Sequence, residues 1–262
     1  MVPVVEIFKA LQGEGIQMGV PSIFVRTGGC TLTCSGFGCS QTSPIDGRQI
    51  QGCDSIHAVN VKHFKHTWNY YDNFSALVSD IETCLHTTDR YSEKQDIVFT
   101  GGEPLIHHKD SVLLDTIEYF MSRGHRIFFE TNGTVYINFD EYPIFKKVNF
   151  TISVKMSNSG EEQHRRWKPE VVSNYLRNTS NSFFKFVLTK NQIESFKEGQ
   201  EDEIISFLKL IPTFAVVYVM PQGEVTRQLI ENGKAVYEYC LEHGFRYSDR
   251  LHIRTYENQK LV

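Results

Sequence analysis

Six short apolar, β-rich runs recur along the chain from about residue 22 onward, and five of them end in a motif marked by glycine, proline or polar residues. The runs lie at about 22–26, 96–100, 125–130, 148–154, 183–189 and 214–220, with a seventh candidate at 251–254. The terminal motifs are Thr27-Gly-Gly-Cys30, Thr100-Gly-Gly-Glu103-Pro104, Glu130-Thr-Asn-Gly133, Ser153-Val-Lys155 and Met220-Pro221. Between the runs, apolar residues fall at helical spacing. Phe74, Leu77, Val78, Ile81 and Leu85 form one face; Val112, Leu113, Ile117, Phe120 and Met121 form a second, stopped by Gly124. Further helical patterns cover about 169–178, 200–211 and 224–243. Apolar strands separated by helices specify a mostly parallel sheet with helices outside. About six βα units are fewer than the eight of a closed barrel, so an open or partial barrel, or a doubly wound sheet, is expected. The C-terminal ends of parallel strands share one face, which brings the five motifs to one site. Read singly, each motif could equally be a simple turn into the next helix.

No internal repeat, low-complexity tract or linker divides the chain, so residues 1–262 read as one domain with its core between about 20 and 255. Lys and Arg number 27 against 31 Asp and Glu, a formal charge of −4, which gives no overall basic field for nucleic acid. No apolar run approaches the ~18 residues of a membrane span, and the N-terminus lacks a secretory pattern. A soluble, cytoplasmic protein is expected.

Four of the six cysteines, Cys30, Cys34, Cys39 and Cys53, fall within 24 residues. Cys84 and Cys240 sit in apolar helical patterns and read as core. In a cytosolic chain such a group reads as a metal or redox site before a disulfide frame. The spacings C-x3-C and C-x4-C admit zinc as well as an iron–sulfur cluster. A first thiol that leaves the end of a strand, beside a Gly-Gly-Glu-Pro loop, favours the cluster.

With these motifs the chain resembles the radical S-adenosylmethionine superfamily, which usually has a three-cysteine loop after its first strand and a Gly-Gly-Glu-Pro-like turn after the second. The resemblance implies a partial (β/α)6-type barrel and a [4Fe-4S] cluster on three thiolates, with one iron left for the amino and carboxylate groups of S-adenosylmethionine. Gly101 and Gly102 would admit that cosubstrate closely, and Glu103 would accept from its ammonium. The superfamily's C-x3-C-x2-C spacing is not kept here. Cys30, Cys34 and Cys53 are the favoured ligands, Cys39 is the alternative third, and the segment around 35–70 is an insertion in the cluster loop.

Three further stretches, Glu6-Ile-Phe-Lys-Ala-Leu-Gln-Gly-Glu-Gly15, Gly19-Val-Pro-Ser-Ile-Phe-Val-Arg26 and Gly29-Cys30, look like the 7-carboxy-7-deazaguanine synthase family of queuosine and deazaguanine biosynthesis. There the third cysteine is followed by Asp and Thr; Cys53-Asp54-Ser55 is the matching triplet here. The likeness implies a lyase that rearranges 6-carboxy-5,6,7,8-tetrahydropterin to 7-carboxy-7-deazaguanine with loss of ammonia, by hydrogen abstraction with a 5′-deoxyadenosyl radical. It implies that Leu11, Gln12, Gly13, Glu14, Arg26 and Thr100 meet the substrate. Asn132, Ser153 and Lys155 would join Gly101, Gly102 and Glu103 on the adenosylmethionine side, and Ser55 would ligate Mg²⁺. No acid–base pair is nominated. A reduced flavodoxin or ferredoxin-type electron donor and a homodimer are expected by the same analogy, without nucleic-acid or membrane partners. Two other readings compete: a different radical enzyme, such as a glycyl-radical activase, and a zinc-stabilised binding module without catalysis. The His57, His63 and His66 stretch reads as a solvated face, His107-His108 as a helix entrance, and Met220 as core.

Overall fold

A computed structural model describes residues 1–86, 93–257 and 259. Eleven strands are described: β1 (Val2–Leu11), β2 (Pro21–Thr27), β3 (Cys39–Thr42), β4 (Gln49–Gly52), β5 (Asn69–Tyr71), β6 (Asp96–Gly101), β7 (Ile127–Thr131), β8 (Asn149–Ile152), β9 (Phe183–Leu188), β10 (Val217–Pro221) and β11 (Arg246–Tyr247). Nine form one sheet in the order β11-β10-β9-β8-β7-β6-β2-β1-β5, and β3 with β4 makes a separate hairpin. From β2 to β11 every pairing is parallel, whereas β1 runs antiparallel to β2 and β5. Strand order follows the chain from β2 to β11 without the reversal that defines a doubly wound sheet. The winding is that of a barrel left open.

Alternation along the strands separates the two faces of this sheet. Ile23, Val25, Ile97, Phe99, Ile127, Phe129, Phe184, Phe186 and Val219 enter the main core, between sheet and helices. Their neighbours Phe24, Arg26, Thr100, Glu130, Lys185, Val187 and Met220 line a cleft on the other face. The outer layer is built by helices with ordinary start signals. Phe74–Thr83 is capped by Asn73 and buries Leu77, Val78 and Ile81; Ser111–Ser122 is capped by Asp110 and buries Val112, Leu113, Ile117 and Phe120. Each such side chain stabilises the fold by about 1.5–3 kcal/mol through burial. The longest helix, Thr226–His243, covers the β10 end.

Several expectations need correction. The N-terminal strand β1 was not anticipated, because its ten residues mix apolar, acidic and basic side chains. The candidate strand at 251–254 is helical, within Leu251–Tyr256. The single helix expected over 200–211 is Glu203–Lys209, preceded by a separate helix, Lys190–Lys197, that starts with a Thr189/Gln192 capping box. The 57–68 stretch is only half a solvated face. His63, Phe64 and Trp68 are buried, with His63 Nδ1 3.0 Å from Ser43 Oγ, while Lys65 and His66 are exposed.

Candidate active site

The cleft, of about 1180 Å³, is lined by every strand from β1 to β10 that belongs to the large sheet's inner face, apart from β5 and β8, and by the turn after β8. It runs the length of the strands rather than sitting only at their C-terminal ends. Register shows why. Thr27 pairs with Gly101 at the C-terminal end, while Leu11, at the end of the antiparallel β1, pairs with Pro21 at the N-terminal start of β2. Residues 12–14 therefore leave β1 against the direction of the parallel strands and enter the cleft from the end of that strand.

At that end the chain after β1 meets the chain after β11. Gly15 N donates to Ser248 Oγ at 2.8 Å, and Leu251 N donates to Gly13 O at 2.9 Å. Gln12 is buried, and its Nε2 reaches Glu130 Oε1 at 3.3 Å. Glu14 receives Lys185 Nζ at 2.6 Å on one oxygen and Arg250 Nε at 2.8 Å on the other. Burial alone would raise its pKa, but these two cations hold its carboxyl far below the usual range. Lys185 also lies 3.5 Å from Glu130, and Thr100 Oγ1 donates to Glu130 at 2.8 Å. Burial disfavours the Lys185 charge, yet Glu130 and Glu14 more than compensate and raise its pKa. Beside this layer, Arg26 Nε pairs with Glu6 at 2.5 Å, and its Nη1 donates to Ser55 Oγ at 3.0 Å. Burial raises the Glu6 pKa, but His57 and Arg26 outweigh it and leave a value of about 2.

The cysteine loop adjoins this layer, since Arg250 Nη2 also lies 3.4 Å from Asp54, the neighbour of Cys53. Cys30, Cys34, Cys39 and Cys53 all line the cleft. Burial pushes Cys30 and Cys53 up to about 12 and Cys34 up to about 11. Cys30 and Cys53 each also feel Cys34, and Lys155 acts on all three in the opposite sense. Cys39 is held differently: it opens the β3–β4 hairpin opposite Gly52, and after burial its thiol is raised by Glu224 and Asp54. Among the described residues no three His, Cys, Asp or Glu side chains converge tightly enough to grip a single metal ion. Thiols gathered along one cleft suit a polynuclear cluster, in which each thiolate takes a different iron, better than a single ion. Asp54 and Ser55 adjoin as hard oxygen donors of the kind Mg²⁺ accepts.

Gly101 and Gly102 are required by packing. A Cβ on Gly101 (φ +136°) would strike the Thr27 backbone, and one on Gly102 would strike Gly29 O and Cys30 Cβ. This lets the turn after β6 lie against the cysteine loop, with Glu103 N donating to Gly29 O at 2.9 Å. Glu103 itself is not among the residues that line the cleft. Fully buried, it accepts from Leu105 N (3.1 Å), Thr131 Oγ1 (2.8 Å) and Asn132 N (2.7 Å). Burial pushes it up to about 7 against those hydrogen bonds. Through them it fixes Asn132, whose Nδ2 lies 3.7 Å from Cys30 Sγ and 3.0 Å from Thr31 Oγ1. Ser153 and Lys155 line the same cleft, joined at 3.0 Å.

Of the residues expected at the site, Leu11, Gln12, Gly13, Glu14, Arg26, Thr100, Gly101, Gly102, Asn132, Ser153, Lys155, Ser55 and the four cysteines line this one cleft. Glu130, Lys185, Arg250 and His252 line it too and were not singled out. An alternation count along the strands would have flagged Glu130 and Lys185, since each is a charge in an inward position of an apolar run. Arg250 and His252 left no such signal.

A family described as "4Fe-4S single cluster domain" matches residues 11–175. Over 96% of its length the chain is 29% identical to the 7-carboxy-7-deazaguanine synthase of Halobacterium salinarum, covering 89% of that protein. It is 24% identical to the 7-carboxy-7-deazaguanine synthase of Pyrobaculum aerophilum, over 99% of this chain and 96% of that one. Among solved structures, the crystal structure of QueE from Escherichia coli superposes with a TM-score of 0.58 at 21% identity, covering 96% of this chain and 94% of that one. That likeness is one of fold.

Proposed function

The chain belongs to the 4Fe-4S single cluster domain family, and from that premise we propose that it is a radical S-adenosylmethionine lyase that converts 6-carboxy-5,6,7,8-tetrahydropterin to 7-carboxy-7-deazaguanine with release of ammonia. The observation that carries the reading is the shared cleft: thiols and a layer of buried charges line it together, in a chain alike over nearly all its length to two synthases of that name.

Cys30, Cys34 and Cys53 hold the cluster in this reading, by the likeness of Cys53-Asp54-Ser55 to the family's triplet, and Cys39, which opens the β3–β4 hairpin, is the alternative third ligand. When bound, the cluster and S-adenosylmethionine supply the electron and the adenosyl radical that start the rearrangement. The protein's part is positional. The backbone at Gly101 and Gly102, with Asn132, Ser153 and Lys155, cradles the methionine end of the cosubstrate. Glu103 serves there by fixing Asn132 rather than by touching the ligand. Gln12 and Thr100 offer an amide and a hydroxyl to the polar edge of the pterin, beside a flat wall made by Phe8 and Phe24, stacked at 5.1 Å. Leu11, Gly13 and Glu14 complete the lining on the substrate side. Arg26 is the cation for the substrate carboxylate. Mg²⁺ on Ser55 belongs to the same reading and requires Arg26 to exchange the Ser55 hydroxyl for that carboxylate. The reading extends to a reduced flavodoxin or ferredoxin-type donor, a homodimer and a cytoplasmic setting, each by family likeness alone; no helix among the described residues is long and apolar enough to cross a membrane.

The test is an anaerobic product assay. Reconstituted protein given S-adenosylmethionine, a low-potential reductant and the carboxylated pterin is expected to form 7-carboxy-7-deazaguanine. Formation of 5′-deoxyadenosine only with an unrelated substrate would overturn the substrate; colourless protein holding one tight zinc would overturn the chemistry.

A further inference from the structure

One buried carboxylate beside the cysteine loop has no part in the scheme above. We infer that Glu161 is a positioning residue of the cluster loop and that its charge, partly offset by Arg165, sets the cluster's reduction potential low; this rests on the reading in which Cys30, Cys34 and Cys53 hold the cluster.

Glu161 is 7% exposed, in the chain that follows β8. One of its oxygens accepts three hydrogen bonds from the cysteine loop: Thr33 N at 2.6 Å, Thr33 Oγ1 at 2.7 Å and Cys34 N at 2.8 Å. The other pairs with Arg165 Nη1 at 2.9 Å, and Arg165 Nη2 donates to Thr31 O at 3.2 Å. The anchored residue, Cys34, has left-handed backbone angles (φ 49°, ψ 46°), a conformation costing about 1–3 kcal/mol outside glycine. Donors gathered on Glu161 offset that cost and hold the Cys34 thiol toward the cleft. Next to it, Gly36 lies directly on the backbone of the segment that carries Glu161. A Cβ there would meet Asn158 O at 2.5 Å and Gly160 N at 2.6 Å.

Two electrostatic consequences follow, and both have the same sign. An N–H that donates to Glu161 is not free to donate to a cluster sulfur, and such donation would raise the potential. A carboxylate beside the thiolates adds a fixed negative charge that opposes arrival of an electron, at short range and largely out of solvent. Arg165, 44% exposed at its side chain, offsets part of that charge from the solvent side.

Wild type, E161Q and R165Q, reconstituted anaerobically, are compared by iron per chain and by the midpoint potential in an EPR-monitored redox titration. E161Q keeps an oxygen for Thr33 and Cys34 but loses the charge, so its midpoint moves up. R165Q uncovers the charge, so its midpoint moves down. Each shift is expected to change the ratio of reduced to oxidised cluster at a fixed poise by about three- to tenfold, tenfold being 59 mV for one electron. A purely structural role would not give opposite signs. If E161Q fails to retain iron, R165Q decides alone. Midpoints indistinguishable from wild type in loaded protein would overturn this inference and leave the function intact. Wild-type protein that binds no iron would instead overturn the cluster reading beneath both.

Discussion

Lys185 shows how one side chain can determine what a cleft is able to hold. Its ammonium, buried between Glu14 and Glu130, is the cation that lets two carboxylates face the same small space. Replacing it with methionine leaves Glu130 without a cation and Glu14 with Arg250 alone. K185M is therefore expected to lose about 3–5 kcal/mol in urea unfolding of the apoprotein. Glu6 makes a pH prediction with a definite sign. Its folded pKa, about 2, lies below its ordinary 4.5, so its stabilising effect is complete above about 4.5 and is lost as the pH falls toward 2. The E6Q apoprotein should accordingly show a flatter loss of stability across that window than wild type. The cysteines divide in the same residue-by-residue way: C53S is expected to lose most of its reconstituted iron and cluster absorbance, and C39S to keep them. These charges and thiols were legible unequally. The four-cysteine group stands out by its density, whereas Cys53 is favoured over Cys39 only by the likeness of Cys53-Asp54-Ser55 to the family's triplet; for Glu103 a motif fixes the acid's position in the chain and not the direction of its carboxylate.

Among elements, the parallel strands were readable because their outward faces are uniformly apolar and each stops at a turn motif. β1 is hidden by Glu6 and Lys9, charged residues on opposite faces of the strand; of the two, Glu6 lines the cleft and Lys9 is exposed. The helix Leu251–Tyr256 was mistaken for a strand because Leu251, Ile253 and Tyr256 satisfy both periods over so short a run. The insertion supplies a hairpin, β3–β4, that the cysteine spacing alone could not reveal. Its approach to the turn after β8 depends on Gly36, whose Cβ position is filled by backbone. G36A should therefore displace the cysteine loop, costing about 1–3 kcal/mol by overpacking and lowering iron uptake on reconstitution in parallel. Full iron retention at unchanged stability would contradict this account of the loop.

For the molecule as a whole, the open winding leaves a gap that charges help to close. Arg250 reaches Glu14 after β1, Gly223 O after β10 and Asp54 beyond the third cysteine, so one guanidinium joins three segments far apart in sequence. R250M is expected to destabilise the apoprotein by about 3 kcal/mol, with earlier proteolysis in the 248–257 region as the companion measurement. Nothing in the sequence marked Arg250, since its role exists only once both ends of the sheet have been brought round. The seat of Gly36 on residues 158–160 has a different reach, into genetics. Where a misfit is between side chains, a smaller neighbour elsewhere can relieve it; here both surfaces are main chain, and no codon outside position 36 can shrink the obstacle. Suppressor selection from a G36A strain should therefore return same-site revertants, while K185M or R250M should yield second-site rescuers among their charged partners.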